Sequence, residues 1–256
     1  MLVRDQLHRE LHLSGTPTRI VSLVPSQTEL LVDLGLRDRL VGVTKFCVHP
    51  KDLRSEVTVV GGTKSVHYDR IKEQQPDLIV CNKEENSLEM VTALEEIAPV
   101  YVSDIATVHD SFEMIWQLGE ILGVRDVAKR MIEDTTVALE EFEAFMAGKP
   151  QKKVAYLIWK NPYMAAGSDT FINSLLALNN FESIVDEKRY PEVSIEQLAS
   201  ADLVLLSSEP FPFKEKDIKE IKQDLHCDVR LVDGEYFSWY GSRLRQAFAY
   251  FKTLHD

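Results

Sequence analysis

Phe46-Cys47-Val48-His49-Pro50 places a thiol and an imidazole two residues apart, just after a short apolar run. Thiolate and neutral imidazole both bind zinc and its neighbours, so Cys47 and His49 are candidate metal ligands. A metal site needs further donors, and no spacing in the chain supplies them. The competing reading is a loop whose side chains line a cleft or pack. His67 and Asp69 are read as a surface pair. Lys83-Glu84-Glu85-Asn86 sits between an apolar run and a helical pattern. It suits a pocket rim, or equally the acidic first turn that a helix dipole favours. Gly61-Gly62-Thr63-Lys64 resembles the end of a phosphate loop but lacks the upstream glycine, so it is not read as a nucleotide site. GxxxxGKS/T, GxGxxG, HExxH, GxSxG and CxxC are all absent. Their absence removes the simplest signs of an enzyme without excluding one.

Aromatic residues gather in three loops of the second half: Trp159 and Tyr163, Tyr190 with Pro191, and Tyr236, Phe237, Trp239 and Tyr240. Loops are normally polar, because a buried loop backbone is hard to satisfy. Aromatics there suit a flat, largely apolar ligand whose faces they would cover. A small satellite core is the alternative. Phe211-Pro212-Phe213 is read as packing.

These loops need a scaffold, and the chain alternates strand and helix patterns from Arg19 onward. Arg19–Leu23, Leu40–Val43, Pro76–Val80 and Val100–Val102 read as strands. Helical patterns cover Thr28–Leu34, Asp69–Gln75, Ser87–Ile97 and Ser111–Leu122. The second half repeats the alternation with strands at Lys153–Ile158, Asp202–Leu206 and Asp228–Val232. Its helices are Phe171–Leu178, Ile195–Ser200, Glu215–Gln223 and Ser242–Thr253. Such alternation builds parallel sheets flanked by helices. QQPDLIV at 74–80 and LASADLVLL at 198–206 share one pattern, so we read two similar α/β lobes. Arg125–Ala147 contains no glycine or proline, has apolar residues at helical spacing, and stops at Gly148 and Pro150. As one helix it would measure about 34 Å. The expected order is an amino-terminal extension (1–18), a first lobe (19–124), a connecting helix (125–148) and a second lobe (149–256).

The 256 residues carry 29 Lys and Arg against 41 Asp and Glu, a net charge of −12. That charge disfavours nucleic acid and anionic membranes as general partners. Three cysteines cannot form a disulfide framework. No apolar stretch is long enough to span a bilayer. The start, MLVRDQLHRELHLSG, has no signal-like apolar run, which predicts a cytoplasmic protein if Met1 is the native start.

From Arg19 to Leu254 the sequence resembles the solute-binding proteins of ABC importers that capture cobalamin, iron–siderophore complexes and haem. In the first lobe the resemblance rests on Arg19-Ile20-Val21-Ser22-Leu23-Val24-Pro25-Ser26-Gln27-Thr28-Glu29, Gly42-Val43-Thr44, His49-Pro50, Val60-Gly61-Gly62 and Pro76-Asp77-Leu78-Ile79-Val80. In the second it rests on Gly167, Ser194-x-Glu196-Gln197-Leu198, Ala201-Asp202-Leu203-Val204 and Gly241-Ser242-Arg243.

The resemblance implies two Rossmann-like lobes joined by a single long rigid helix, the class III periplasmic-binding-protein fold, with a ligand cleft between lobes. It implies ligand contacts at Pro25, Ser26, Phe46, His49, Lys64, Asn82, Glu85, Trp159, Tyr190, Glu235, Tyr236 and Trp239. It also implies one permease-docking glutamate per lobe, Glu196 in the second and Glu89, or else Glu85, in the first. The implied ligand is cobalamin first, then an iron–siderophore complex or haem. The implied partners are ABC permease and ATPase subunits, with no catalytic residue and no cofactor of the protein's own. A monomer in the periplasm or at the cell surface follows from the same resemblance. Three positions depart from the cobalamin-binding pattern: Glu235, Trp239 and Lys64 replace an aspartate, an arginine and a tryptophan. Lys64 would suit an anionic iron chelate. An intracellular enzyme with a metal held by Cys47, His49 and Glu85 or Glu235 is the alternative from another class. A cytosolic corrinoid or haem carrier without a transporter is the third reading.

Overall fold

The computed structural model describes residues 1–255, which divide into two compact units. The first comprises Met1–Ile105, His109–Thr136 and Tyr240–Leu244. The second comprises Ala106–Val108, Val137–Trp239 and the chain from Arg245 onward. Tyr240–Leu244 thus group with the first unit despite their place near the end of the sequence.

Unit 1 opens with a hairpin of β1 (Leu2–Arg4) and β2 (Glu10–His12). It continues through β3 (Ile20–Ser22), α1 (Pro25–Asp33), β4 (Leu40–Val43), α2 (Leu53–Glu56), β5 (Thr58–Val59), α3 (Tyr68–Glu73), β6 (Leu78–Asn82), α4 (Leu88–Glu95), β7 (Val100–Ser103) and α5 (Val108–Ile121). The five strands β5-β4-β3-β6-β7 pair in that order, all parallel. The chain therefore moves outward from β3 in one direction, then returns to the other side at β6. Ile20, Val21, Leu78, Ile79 and Val80 are fully buried, as a sheet covered on both faces requires.

The hairpin closes one edge of this sheet. Asp5 is buried, and its carboxylate accepts from the N–H groups of Leu7 (3.0 Å), Arg9 (3.0 Å) and Val102 (3.2 Å). The Arg9 guanidinium meets the same carboxylate at 2.6 and 2.8 Å and donates to the Val100 carbonyl at 2.8 Å. Gln6 accepts from the Asp104 N–H at 3.1 Å. Side chains of the turn thus satisfy backbone groups that an edge strand would leave open.

Unit 2 holds β8 (Lys152–Trp159), β9 (Met164–Ala165), α7 (Phe171–Leu178), β10 (Phe181–Ser183), α8 (Ile195–Leu198), β11 (Leu203–Ser207), α9 (Glu215–Ile221), β12 (Asp228–Val232), α10 (Gly234–Ser238) and most of α11 (Leu244–Lys252). Its strands pair in the order β10-β8-β11-β12, all parallel, with β9 antiparallel on β8.

Arg125–Met146 is one uninterrupted helix, α6, and the unit boundary falls inside it at Thr136–Val137. Gly148, at φ +79°, follows its last turn, where a left-handed residue ends a helix. Within unit 1, Ala128 of α6 abuts Gly119 of α5 so closely that a Cβ at 119 would collide with it. Within unit 2, Phe142 packs against Phe248 and Phe251 at ring separations of 5.8 and 5.9 Å.

The predicted strands and longer helices are all present, shifted by at most three residues at their ends. The hairpin, β5, β9, β10, α2 and α10 were not predicted.

Candidate functional site

Where consecutive strands leave a parallel sheet in opposite directions, the loops at their carboxyl ends part and leave room for a ligand. In unit 1 that switch lies between β3 and β6. The loop after β3 enters α1 at Pro25 and Ser26, and the loop after β6 carries Asn82 to Ser87.

Asn82 and Asn86 fix the second loop. Asn82 Oδ1 accepts from the N–H groups of Glu84 (2.8 Å) and Glu85 (3.2 Å). Asn86 Nδ2 donates to the Thr63 carbonyl at 2.8 Å, and its Oδ1 accepts from the Asn82 N–H at 2.9 Å. The segment after β5 is thereby tied to the segment after β6. Lys64 Nζ donates to the Glu84 carbonyl at 2.5 Å. Glu85 is half-buried, and burial pushes its carboxyl above the ordinary range. Lys64 and the Thr63 hydroxyl act against that rise, and Glu84 adds to it.

Beside the loop lies a polar cluster that the sequence did not reveal. Gln27 Nε2 donates to Ser103 Oγ and, at 3.2 Å, to the Tyr240 hydroxyl. Asn82 Nδ2 donates to Ser103 Oγ at 3.0 Å. Burial drives the Tyr240 hydroxyl well above its ordinary range, the Glu85 charge adds to this, and hydrogen bonds to Gln27, Ser103 and Ser26 oppose it. Gln27 Oε1 is buried with no hydrogen-bond partner among the described residues.

The loop after β4 divides in two. Phe46 is 49% exposed, and a Cβ on Gly62 would meet its ring edge at 3.2 Å. His49 is half-buried. Cys47 is fully buried, its Sγ at 3.1 Å from Thr28 Oγ1 and 3.2 Å from Thr44 Oγ1. Burial raises this thiol, which disfavours the thiolate a metal would need. Cys47 packs between the two threonine hydroxyls. Among the described residues no three His, Cys, Asp or Glu side chains converge as a metal site.

In unit 2 the switch lies between β8 and β11. Trp159 ends β8 at 41% exposure, edge-on to Phe211 at 5.7 Å, and Phe211 in turn meets Phe213 at 4.8 Å. Trp239 is only 7% exposed, and its Nε1 donates to Glu209 Oε1 at 3.0 Å. It braces the loop after β11. Tyr236 is half-buried and stacks on Tyr250 at 4.7 Å. The Glu235 N–H caps on Asp233 Oδ1 at 3.1 Å. Tyr190 is half-buried beside Pro191, whose carbonyl accepts from the Ala165 N–H at 3.0 Å.

Glu89 and Glu196 stand in helices rather than in the loops. Each is exposed in the first turn of a helix, α4 or α8, two residues after a serine N-cap. Backbone and serine hydrogen bonds hold Glu89 below the ordinary carboxylate range. Ser194 and the backbone do the same for Glu196. A groove of about 330 Å³, lined by Arg9–His12 and Glu95–Val100, sits at the amino end of β7, opposite the strand carboxyl ends.

Comparison with known proteins gives this arrangement a context. The model of the periplasmic binding protein family matches residues 20–227. An uncharacterised ABC transporter substrate-binding lipoprotein of Bacillus subtilis is 26% identical over 182 residues, covering 68% of this chain and 57% of the relative. The chain thus spans little more than half that relative's length. A vitamin B12-binding protein of Vibrio campbellii is 24% identical, with 72% of this chain and 68% of the relative covered. Among solved structures, the periplasmic vitamin B12-binding protein of Vibrio cholerae superposes with a TM-score of 0.82 at 20% identity, covering 93% of this chain and 96% of that one. A periplasmic haem-binding protein of Pseudomonas aeruginosa gives 0.81 at 20% identity, covering 93% and 92%. The class III binding-protein fold expected from the resemblance is the fold observed.

Proposed function

This chain belongs to the periplasmic binding protein family, and from that premise we propose that it is the solute-binding component of an ABC importer for a metal-bearing ligand. A corrinoid is the first choice, and an iron–siderophore complex or haem the next. The observation that carries the reading is the content of the two switch points. The first carries Pro25, Ser26, Asn82 and Glu85, with Phe46 exposed on the loop after β4, and the second carries Trp159 against Phe211. In each unit taken by itself, an exposed ring, Phe46 in the first and Trp159 in the second, suits a flat ligand face. His49, Lys64, Tyr190, Glu235, Tyr236 and Trp239 complete the proposed contact set.

Capture requires no bond to be made or broken, and the relatives are binding proteins. The protein would act as a monomer, in the periplasm or at the cell surface, and hand its ligand to a permease driven by an ATPase. Loops already fixed by Asn82 and Asn86 lower the ordering cost of binding.

The test is a titration of the purified chain with cyanocobalamin, haem and a ferric siderophore, followed by absorbance and tryptophan fluorescence. One of the three should bind in the micromolar range or tighter. Trp159→Ala should weaken that binding about tenfold, the worth of one aromatic face. Failure of all three to bind would remove this reading. Stoichiometric zinc in the purified protein would favour the metalloenzyme.

A further inference from the structure

In unit 2 one buried carboxylate ties together the two loops that carry the aromatic pair. Trp159 ends β8, and Phe211 lies between β11 and α9, their rings edge-on at 5.7 Å. Lys160 directly follows Trp159. Its ammonium donates to two carboxylates of α9, Asp217 Oδ1 at 2.7 Å and Glu220 Oε2 at 2.7 Å. Asp217 Oδ2 accepts from the Lys214 N–H at 2.8 Å, where the Phe211 loop enters α9. The Lys160 side chain is 10% exposed and that of Asp217 4%, so salt screens this pair little. Glu220 is exposed, and its bond adds less. The Phe211 N–H also donates to the Ile158 carbonyl at 3.2 Å, one residue before Trp159. Among the described residues no hydrogen bond holds the Trp159 indole, so its orientation depends on Phe211 and on the backbone of these two loops.

We propose that Lys160 and Asp217 are positioning residues, which together hold Trp159 against Phe211 as a face already formed when a ligand arrives. The inference rests on the reading that the Trp159 face meets ligand, and deepens it by naming what keeps that face in place. An indole on a loose turn must give up side-chain and backbone freedom when a ligand covers it, whereas a fixed one has little left to lose. Asp217 accepts from both loops at once, so each loop is fixed relative to the other and not only to the sheet. Without the Lys160 ammonium the end of β8 loses its bond to α9, while the Phe211 loop keeps the one from Lys214. The pair Trp159–Phe211 would then be anchored on one side alone.

The experiment labels the ligand-free chain with fluorotryptophan and reads its three tryptophans by fluorine NMR. Trp159→Phe identifies the Trp159 line, and Trp116 in unit 1 is the internal control. Wild type should give one narrow Trp159 line. Lys160→Met leaves the Asp217 carboxylate half-satisfied, so Lys160→Met/Asp217→Asn is measured beside it. That double variant is neutral and can still accept from the Lys214 N–H. In it the Trp159 line should broaden or split while the Trp116 line stays as it was, and circular dichroism establishes that it is folded. Lys160→Arg keeps the charge and should keep the narrow line. For whichever of cyanocobalamin, haem and the ferric siderophore the wild type binds, the double variant should bind about tenfold more weakly, the ordering cost of one large side chain, and Lys160→Arg within about twofold of wild type. An unchanged Trp159 line in the double variant would overturn the inference, as would an unchanged Kd for a ligand that wild type binds. Absence of binding by wild type to all three would remove the functional reading by itself, and the Trp159 line would still decide whether Lys160 and Asp217 hold the ring.

Discussion

A carboxyl that leaves water must find a cation or keep its proton. Asp5 and Glu85 follow different routes. Asp5 gains the Arg9 guanidinium and three backbone N–H groups. Glu85 gains less than it loses, and its carboxyl rises. The sign of the consequence follows. A carboxyl whose pKa is raised by folding favours the folded state when protonated, and that contribution disappears as pH rises through its folded value. Ligand-free Glu85→Gln should therefore melt above wild type at about pH 8. The gap should close as pH falls below the folded value. Thermal denaturation across that range checks it, and a gap that widens on acidification would refute the assignment. Glu85 was legible in the sequence as a strand-end residue, through its resemblance and its place after an apolar run. Gln27 and Tyr240 were not, because 213 residues separate them and no local pattern records their meeting.

The main elements were legible because their periods are long enough to count. Helix α6 repeats its apolar positions over 22 residues, and the buried strands are continuous apolar runs between turns. The hairpin was not, since three-residue strands such as Leu2–Arg4 and Glu10–His12 are too short to show alternation against their charges. Its place depends on side-chain bonds from its turn, those of Asp5 foremost, rather than on a pattern. Asp5→Ala would leave the Val102 N–H without its partner and the Arg9 guanidinium with only Glu95 and the Val100 carbonyl. Breaking a buried pair costs about 3 kcal/mol. Urea denaturation should show a loss of that order, and hydrogen exchange should show the Val102 amide opening faster than those of β6. An unaltered midpoint would mean that Leu11 and Leu13, both buried, hold the hairpin without Asp5.

At the scale of the molecule, the two units carry the same device twice. Ser87-Leu88-Glu89 and Ser194-Ile195-Glu196 each set a serine cap, an apolar residue and an exposed glutamate at a helix start. Leu88 is 76% exposed. Both carboxyls are held ionised to lower pH than usual, so each unit presents a permanent negative charge on its surface. If these are the docking points for a permease, ligand capture and docking are separable functions of one chain. Glu89→Ala and Glu196→Ala should each leave the ligand Kd within about twofold of wild type. Each should weaken association with the cognate permease and ATPase in nanodiscs, and the double variant should weaken it further. Exposed charges are screened over roughly 10 Å at 0.1 M salt, so wild-type association should fall as salt rises. The double variant should lose most of that salt slope, because removing the two charges removes what the salt would screen. Association that keeps its strength and its slope in the double variant would move the docking surface elsewhere.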